Sequence, residues 1–310
     1  MWFMARPLRL QYADAMYHVI NRGNYRHDVF VSVGAAQAFE TTLQETCEHY
    51  GWRLYAHVVM RNHFHLAVGT PHANLVEGMH WLQGTFATRF NRFRDERGHL
   101  FQGRYHALLI ENPAALARVV DCIHLNPVRA KIVEAQHVAE FRWSSLRRFV
   151  REIRPTWHSA QPWLRECGFA EDRDGWRSYV DSLIDLSGDQ AEQERLEFKT
   201  MSHGWAIGTE GWRKAIAREH AHRALSAGLS GKELREMHVS RWEQTLDAAM
   251  GKAGRGATDI TADSKAAPWK VEVALQLRGI GAPCGWIAKA LGMGTPGALR
   301  VALYRVRANR

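Results

Sequence analysis

The sequence predicts an α+β protein: an N-terminal half in which strands and helices alternate, followed by an all-α C-terminal region. Three observations carry this reading. Up to about residue 150, short β-branched and aromatic runs alternate with stretches whose apolar residues recur every three or four positions. Beyond residue 151 the strand-like runs fade into tryptophan-containing, polar segments. The end of the chain carries the proline, glycine and Thr-Pro signals that bound short helices.

Tyr17 to Asn21 (YHVIN) alternates as a strand does, and Ala35 to Tyr50 places Phe39, Leu43, Cys47 and Tyr50 at helical spacing. Arg53 to Met60 and His63 to Val68 are two strand-like runs separated by Arg61-Asn62, short enough for a hairpin. Leu75 to Phe93 carries Met79, Leu82, Phe86 and Phe90 on one helical face, while Arg89, Arg92, Arg94 and Arg97 occupy its other face and its exit. Tyr105 to Ile110 returns as a strand, and Asn112-Pro113 opens a further helix that has Asn126-Pro127 towards its far end. The order βαββαβ describes a ferredoxin-like split βαβ unit, an antiparallel sheet with helices on one face, over residues 1–150.

Residues 151–200 read as a connector ending in a charged helix, and residues 201–250 as a helical middle region. Residues 251–267, rich in alanine and glycine, read as a flexible linker. In residues 268–310, Trp269 to Leu277 and Trp286 to Leu291 are helical. Gly292-Met293-Gly294 turns, and Thr295-Pro296 caps a third helix ending near Val306, which makes a helix-turn-helix-like unit.

A hydrophobic fraction of 46% with 24% charged residues is that of a chain able to bury a core. The formal charge of +9 favours a polyanionic partner, because lysine and arginine gain free energy by displacing counterions from phosphates. A merely basic surface is the plain alternative. None of Cys47, Cys122, Cys167 and Cys284 makes a CxxC pair, so no zinc knuckle or disulfide framework is suggested and a reducing cytoplasm fits. No signal peptide, membrane span or phosphate-cradling GxxxxGK loop is seen, so neither a membrane nor a nucleotide cofactor is expected.

The chemistry-bearing residues cluster in two places. On a strand, His63 and His65 point to the same side while Phe64 enters the core behind them, and two adjacent imidazoles make a divalent metal site. Cys122 and Asn126 lie four apart and so share a helical face. If that face crosses the histidine strand, the amide oxygen of Asn126 completes a mixed set suited to magnesium or manganese acting on phosphate oxygens, although imidazoles also accept zinc. A lone His-x-His is more often ordinary core or surface histidine, and Cys122 alone reads equally well as a small buried hydrophobe.

Three motifs shift that balance. Met60-Arg61-Asn62-His63-Phe64-His65-Leu66, Phe101-Gln102-Gly103-Arg104-Tyr105 and Ile123-His124-Leu125-Asn126-Pro127-Val128-Arg129-Ala130 together resemble REP-associated tyrosine transposases, within the single-tyrosine HUH transposase superfamily. Trp286 to Tyr304 is similar to the helix-turn-helix that follows this domain in some longer relatives. The resemblance implies a ferredoxin-like nuclease fold, often dimeric, that acts on single-stranded or hairpin (REP-type palindromic) DNA. In it His63, His65 and Asn126 would be the metal ligands, and a tyrosine would attack the DNA to leave a 5′-phosphotyrosine link. That tyrosine is expected at position 122, where this chain has Cys122.

Three accounts of the nucleophile follow: a chain that binds DNA without cutting, attack by the shorter side chain of Cys122, or a substitute tyrosine such as Tyr105 or Tyr17. Arg89, Arg92, Arg94, Arg104, Arg129, Arg300 and Arg305 are the expected DNA-binding residues. The expected function is therefore a transposase-like protein of the bacterial cytoplasm and nucleoid, with DNA as partner, a divalent ion as cofactor and a homodimer as an expected assembly. Its alternatives are a non-cleaving DNA-binding regulator and, more weakly, an RNA-binding protein.

Overall fold

The computed structural model of the protein describes residues 10–152, 154–219 and 231–308. Gln11–Thr209 form one compact unit, and the chain from Glu210 on belongs to a second.

The first unit is built on β1 (Ala15–Arg22), α1 (Val33–Tyr50), β2 (Arg53–Val59), β3 (His63–Thr70), α2 (Leu75–Arg94), β4 (His106–Ile110) and α3 (Pro113–His124). Capping fixes the helix starts: Ser32 Oγ accepts from the Ala35 N–H at 3.1 Å, and Asn112 Oδ1 accepts from the Ala115 N–H at 2.9 Å with Pro113 in the first turn. Met60 N–H donates to the His63 carbonyl at 2.8 Å and closes the β2–β3 hairpin across Arg61-Asn62. The strands lie in the order β2-β3-β1-β4 with every neighbouring pair antiparallel, which is the result of two interleaved βαβ crossovers. A fifth strand, absent from the sequence reading, is the two-residue β5 (Ala206–Ile207), parallel to β4 at the edge.

Strand alternation gives the sheet two different faces. Phe64, Leu66 and Val68 face α1 and α2, where Phe39 and Phe64 have ring centroids 4.6 Å apart and Phe30, Phe86 and Phe101 complete an aromatic cluster. Gly78 lets α2 sit on Trp52, since a Cβ there would fall 2.1 Å from the indole.

His63, His65 and Ala67 point the other way, towards α3, so the expectation of helices on one face only is corrected: both faces are covered. The second layer continues through the one-turn α4 (Asn126–Arg129), α5 (Ser145–Val150), α6 (Trp163–Glu166), α7 (Arg173–Gly188) and α8 (Gln190–Arg195). Trp163, Trp176, Tyr179 and Leu183 are buried with Leu116, Val119, Val120 and Ile123 of α3 in one core. Residues 151–200 are thus part of the first unit and not a connector. Their large aromatics are separated by polar residues without a steady period, which hides a buried layer from sequence periodicity.

The second unit contains α9 (Glu210–Glu219), α10 (Gly231–Lys252), α11 (Ala257–Ala262), α12 (Pro268–Gly279), α13 (Cys284–Ala290) and α14 (Pro296–Ala308). Trp242, Val273, Leu277, Ile287, Leu291 and Leu299 share its core. The predicted linker 251–267 is corrected as well, because it holds α11 and is tied down. Buried Lys270 donates through Nζ to the Ile260 and Asp263 carbonyls at 2.8 and 3.0 Å, and Trp269 Nε1–H donates to Asp263 Oδ2 at 2.8 Å. These bonds satisfy the carbonyls that a helix C-terminus leaves open. No helix among the described residues is long and apolar enough to cross a membrane.

Candidate nucleic-acid and metal site

The site forms where the start of β3 meets the end of α3. His63 is held from below by the hairpin: its Nδ1 lies 2.8 Å from Asn62 Oδ1, and Asn62 Nδ2 donates to the Arg26 carbonyl at 3.2 Å. A carbonyl only accepts, so the amide NH2 must face Arg26 and its oxygen must face His63. Nδ1 of His63 therefore carries the proton and Nε2 keeps its lone pair.

His65 stands beside it, with ring centroids 5.2 Å apart, and its Nδ1 lies 3.0 Å from Nε2 of buried His18 on β1. Asn126 Nδ2 approaches His65 Nε2 at 3.5 Å, and a half-turn of the amide exchanges its oxygen into that place. Pro127 cannot continue the hydrogen-bond ladder of α3, so the helix ends at His124 and Asn126 sits on the separate turn α4. The expected helix that carries both Cys122 and Asn126 is therefore interrupted, yet Asn126 still reaches His65.

Both histidines are neutral near pH 7. Burial pushes His63 down to about 4, with the Arg22 guanidinium adding to the effect. Burial also holds His65 well below the ordinary imidazole range, reinforced by His18, His63, Arg129 and Arg22. Two neutral imidazoles and one amide offer nitrogen and oxygen donors of the kind a divalent ion takes. Among the described residues no three His, Cys, Asp or Glu side chains come together as a metal group, so any ion here depends on the amide as its third protein donor.

Cys122 is buried on α3. Arg129 Nη1–H donates to its Sγ at 3.2 Å, the sulfur lies 4.0 Å from the Phe198 carbonyl, and the Arg129 guanidinium stacks over the Phe198 ring at 5.4 Å. Burial pushes the thiol up to about 11, against the lowering pull of Arg129, so Cys122 is a protonated thiol at neutral pH.

The helix beneath is anchored by a polar chain. Tyr179 Oη–H donates to Asp121 Oδ1 at 2.9 Å, and His124 joins Tyr179 Oη and Ser145 Oγ at 2.9 Å each. Burial raises Asp121 to about 7 and lowers His124 to about 3.

The other expected residues disperse. Tyr17 is buried on the opposite face of the sheet, paired with Val68, and Tyr105 is buried just before β4; neither hydroxyl is presented beside the histidines. Arg89 is on the α1 and α2 side, where its Nη1 donates to Glu45 Oε2 at 2.7 Å and Thr42 Oγ1 at 3.0 Å; it holds two helices together and is not at the histidine site. Arg94 pairs with Glu96 at 3.0 Å, and Arg92 is exposed at the end of α2.

Exposed Arg104 rides a loop joined to the end of β1 by the Gln102 N–H to Arg22 carbonyl bond of 2.8 Å. Arg300 is exposed on α14 of the second unit, whereas the Arg305 side chain lies outside the described residues. Sequence reasoning missed Arg22, which pairs across strands with His63, and His18, Phe198 and Met201. Only His18 carried a signal, as a histidine inside the alternating YHVIN run.

Residues 11–124, within the first unit, match the family described as Transposase IS200 like. The chain is also similar to a protein of Haemophilus influenzae described as a REP-associated tyrosine transposase, with 28% identity over 139 residues that cover 41% of this chain and 78% of the relative. Among solved structures, one of a REP-associated tyrosine transposase bound to a REP hairpin aligns at 19% identity and a TM-score of 0.39, covering 48% of this chain and 87% of that one. A transposase of Deinococcus radiodurans aligns at 24% identity and a TM-score of 0.29, covering 41% of this chain and 92% of that one.

Proposed function

We propose that this protein holds single-stranded or hairpin DNA at the His63, His65 and Asn126 site without cutting it through position 122. The observation that carries the proposal is the state of Cys122: a buried, protonated thiol beneath Phe198 and Arg129. A thiol attacks phosphorus only as its thiolate, and a short side chain closed off from solvent cannot reach a phosphate.

The binding half of the reading rests on the match of residues 11–124 to the IS200-like family, the charge of +9, and Arg22 and Arg129 flanking the histidines. A magnesium- or manganese-like ion held by His63, His65 and Asn126 would supply a Lewis acid to phosphate oxygens. His63 and His65 present neutral nitrogens to it, Asn126 would turn its amide oxygen inward, and Arg22 and Arg129 would hold the phosphate. The helices α12 to α14, with Arg300 exposed on the last, form the part proposed to contact duplex DNA in a helix-turn-helix manner. The protein would act on the nucleoid in the cytoplasm, and size-exclusion chromatography with light scattering reads the expected homodimer.

The test uses labelled hairpin DNA from the flanks of the protein's own gene, with manganese, on native and denaturing gels. The unmodified protein is expected to retard the DNA and to leave no covalent adduct. An adduct that His63→Ala abolishes would overturn the non-cutting reading. Cys122→Tyr, assayed beside it, reports whether the rest of the site supports attack once a phenol is supplied.

A further inference from the structure

Of the two site histidines, His65 is the more deeply buried, and the residue behind it, His18, is bonded to a carbonyl outside the segment that matches the transposase family. His18 is 1% exposed and lies between two partners. Its Nδ1 is 2.8 Å from the Met201 main-chain carbonyl, and its Nε2 is 3.0 Å from Nδ1 of His65. We propose that His18, clamped by the Met201 carbonyl, is a positioning residue that locks His65 with Nδ1 protonated and the Nε2 lone pair turned towards Asn126.

The argument is one of donors and acceptors. The carbonyl of Met201 can only accept, so Nδ1 of His18 must bear a proton. A neutral imidazole has only one ring proton, so Nε2 of His18 is an acceptor, and the short contact to His65 is made only if His65 donates from Nδ1. His65 is then left with a bare Nε2, the nitrogen that faces Asn126 at 3.5 Å. The opposite tautomer of His65 would require His18 to donate from Nε2 and would set its Nδ1 lone pair against the carbonyl lone pairs at 2.8 Å.

The rings also stack, with centroids 5.2 Å apart and planes at 29°, so position and tautomer are fixed together. Ligand histidines commonly have their far nitrogen held in this way, and loss of such a partner weakens metal binding about 10–100-fold.

The clamp comes from a distant part of the chain. Met201 lies 183 residues from His18 and beyond the matched residues 11–124. The segment that brings Met201 in also carries Phe198, which closes over Cys122 through its carbonyl and under Arg129 through its ring. It is anchored at its far end by β5, where the Leu109 N–H donates to the Trp205 carbonyl at 2.9 Å. Residues 198–207 therefore act as a strap that sets His65 from behind while covering the nucleophile position.

This inference deepens the metal reading, and its test separates the two. Long-range proton–nitrogen correlation spectra of the full-length, nitrogen-15-labelled protein without metal read each histidine tautomer directly. His65 is expected to be protonated at Nδ1 in the unmodified protein. It is expected to keep that tautomer in His18→Gln, whose amide oxygen still accepts, and to lose it in His18→Phe.

Free manganese measured by electron paramagnetic resonance then gives the affinity for Mn2+. His18→Phe is expected to weaken it about 10–100-fold while His18→Gln stays within a few-fold of the unmodified protein. A His65 protonated at Nε2 in the unmodified protein overturns the proposal, and so does a folded His18→Phe with unchanged tautomer and unchanged Mn2+ affinity. If the unmodified protein binds no Mn2+, the metal reading fails, and the tautomer spectra still decide the role of His18. Should His18→Phe fail to fold, the spectra of the unmodified protein and of His18→Gln decide it.

Discussion

The covered thiol of Cys122 predicts a specific chemical inertness. Its pKa, pushed up to about 11 by burial, compares with about 8.5 for an unperturbed thiol. At pH 7.5 the thiolate fraction falls from about one in ten to about one in three thousand, roughly 300-fold. The more basic thiolate is the better nucleophile, with a Brønsted slope of about 0.45, which returns roughly a factor of ten. The net expectation is exchange with methyl methanethiosulfonate roughly 25-fold slower than for free cysteine from ionisation alone, and slower again because Cys122 is only 5% exposed. Peptide mapping by mass spectrometry, with quenching at timed intervals across pH 7 to 10, resolves Cys122 from Cys47, Cys167 and Cys284. The Cys122 rate should keep rising to the top of that range. A rate matching free cysteine at pH 7.5, or a plateau below pH 9, would mean that the thiolate is available, and it would refute the reasoning behind a non-cutting site.

Three further outcomes are expected. Burial lowers His18 to about 4 and His124 to about 3, so the folded state stays neutral where the unfolded chain takes up protons. Stability is complete above the unfolded pKa and is lost as pH falls below it, by about 1.4 kcal/mol per such histidine at pH 5.5. Urea midpoints should drop between pH 7 and 5.5; a flat profile would contradict the burial of these rings. Gly78→Ala should destabilise by about 1–3 kcal/mol in the same assay, because the new methyl has no space beside Trp52. An unchanged midpoint would show that α2 shifts freely. In binding to single-stranded DNA, Arg22→Ala should reduce the slope of log affinity against log salt by about 0.7, while Arg89→Ala should leave it alone since Arg89 is tied to Glu45 and Thr42. Equal effects from the two would undo the assignment of the binding face.

The sequence by itself determined the order of elements and the histidine pair. Alternation with period two fixed that His63 and His65 share a face and that Phe64 is their counterpart in the core. The motif around Asn126 anticipated its place beside them, and capping residues such as Ser32 and Asn112 marked the helix starts. These are short-range consequences of backbone geometry, legible in a few consecutive residues.

Only the tertiary structure decided the rest, because it depends on contacts between residues far apart in the chain. The tryptophan-rich stretch that looked like a connector is a second layer over the sheet, since Trp163, Trp176 and Tyr179 find α3 only after the chain has turned back. Arg89 looked like a phosphate ligand until its neighbours on α1 appeared. His18 looked like one more strand residue until the Met201 carbonyl and His65 met its two nitrogens. Whether Cys122 is nucleophile or core was open in the sequence. In the fold Phe198 and Arg129 cover the sulfur, and burial holds its proton on against the lowering pull of Arg129. Protonation states follow the local environment, and that environment is assembled from both ends of the unit.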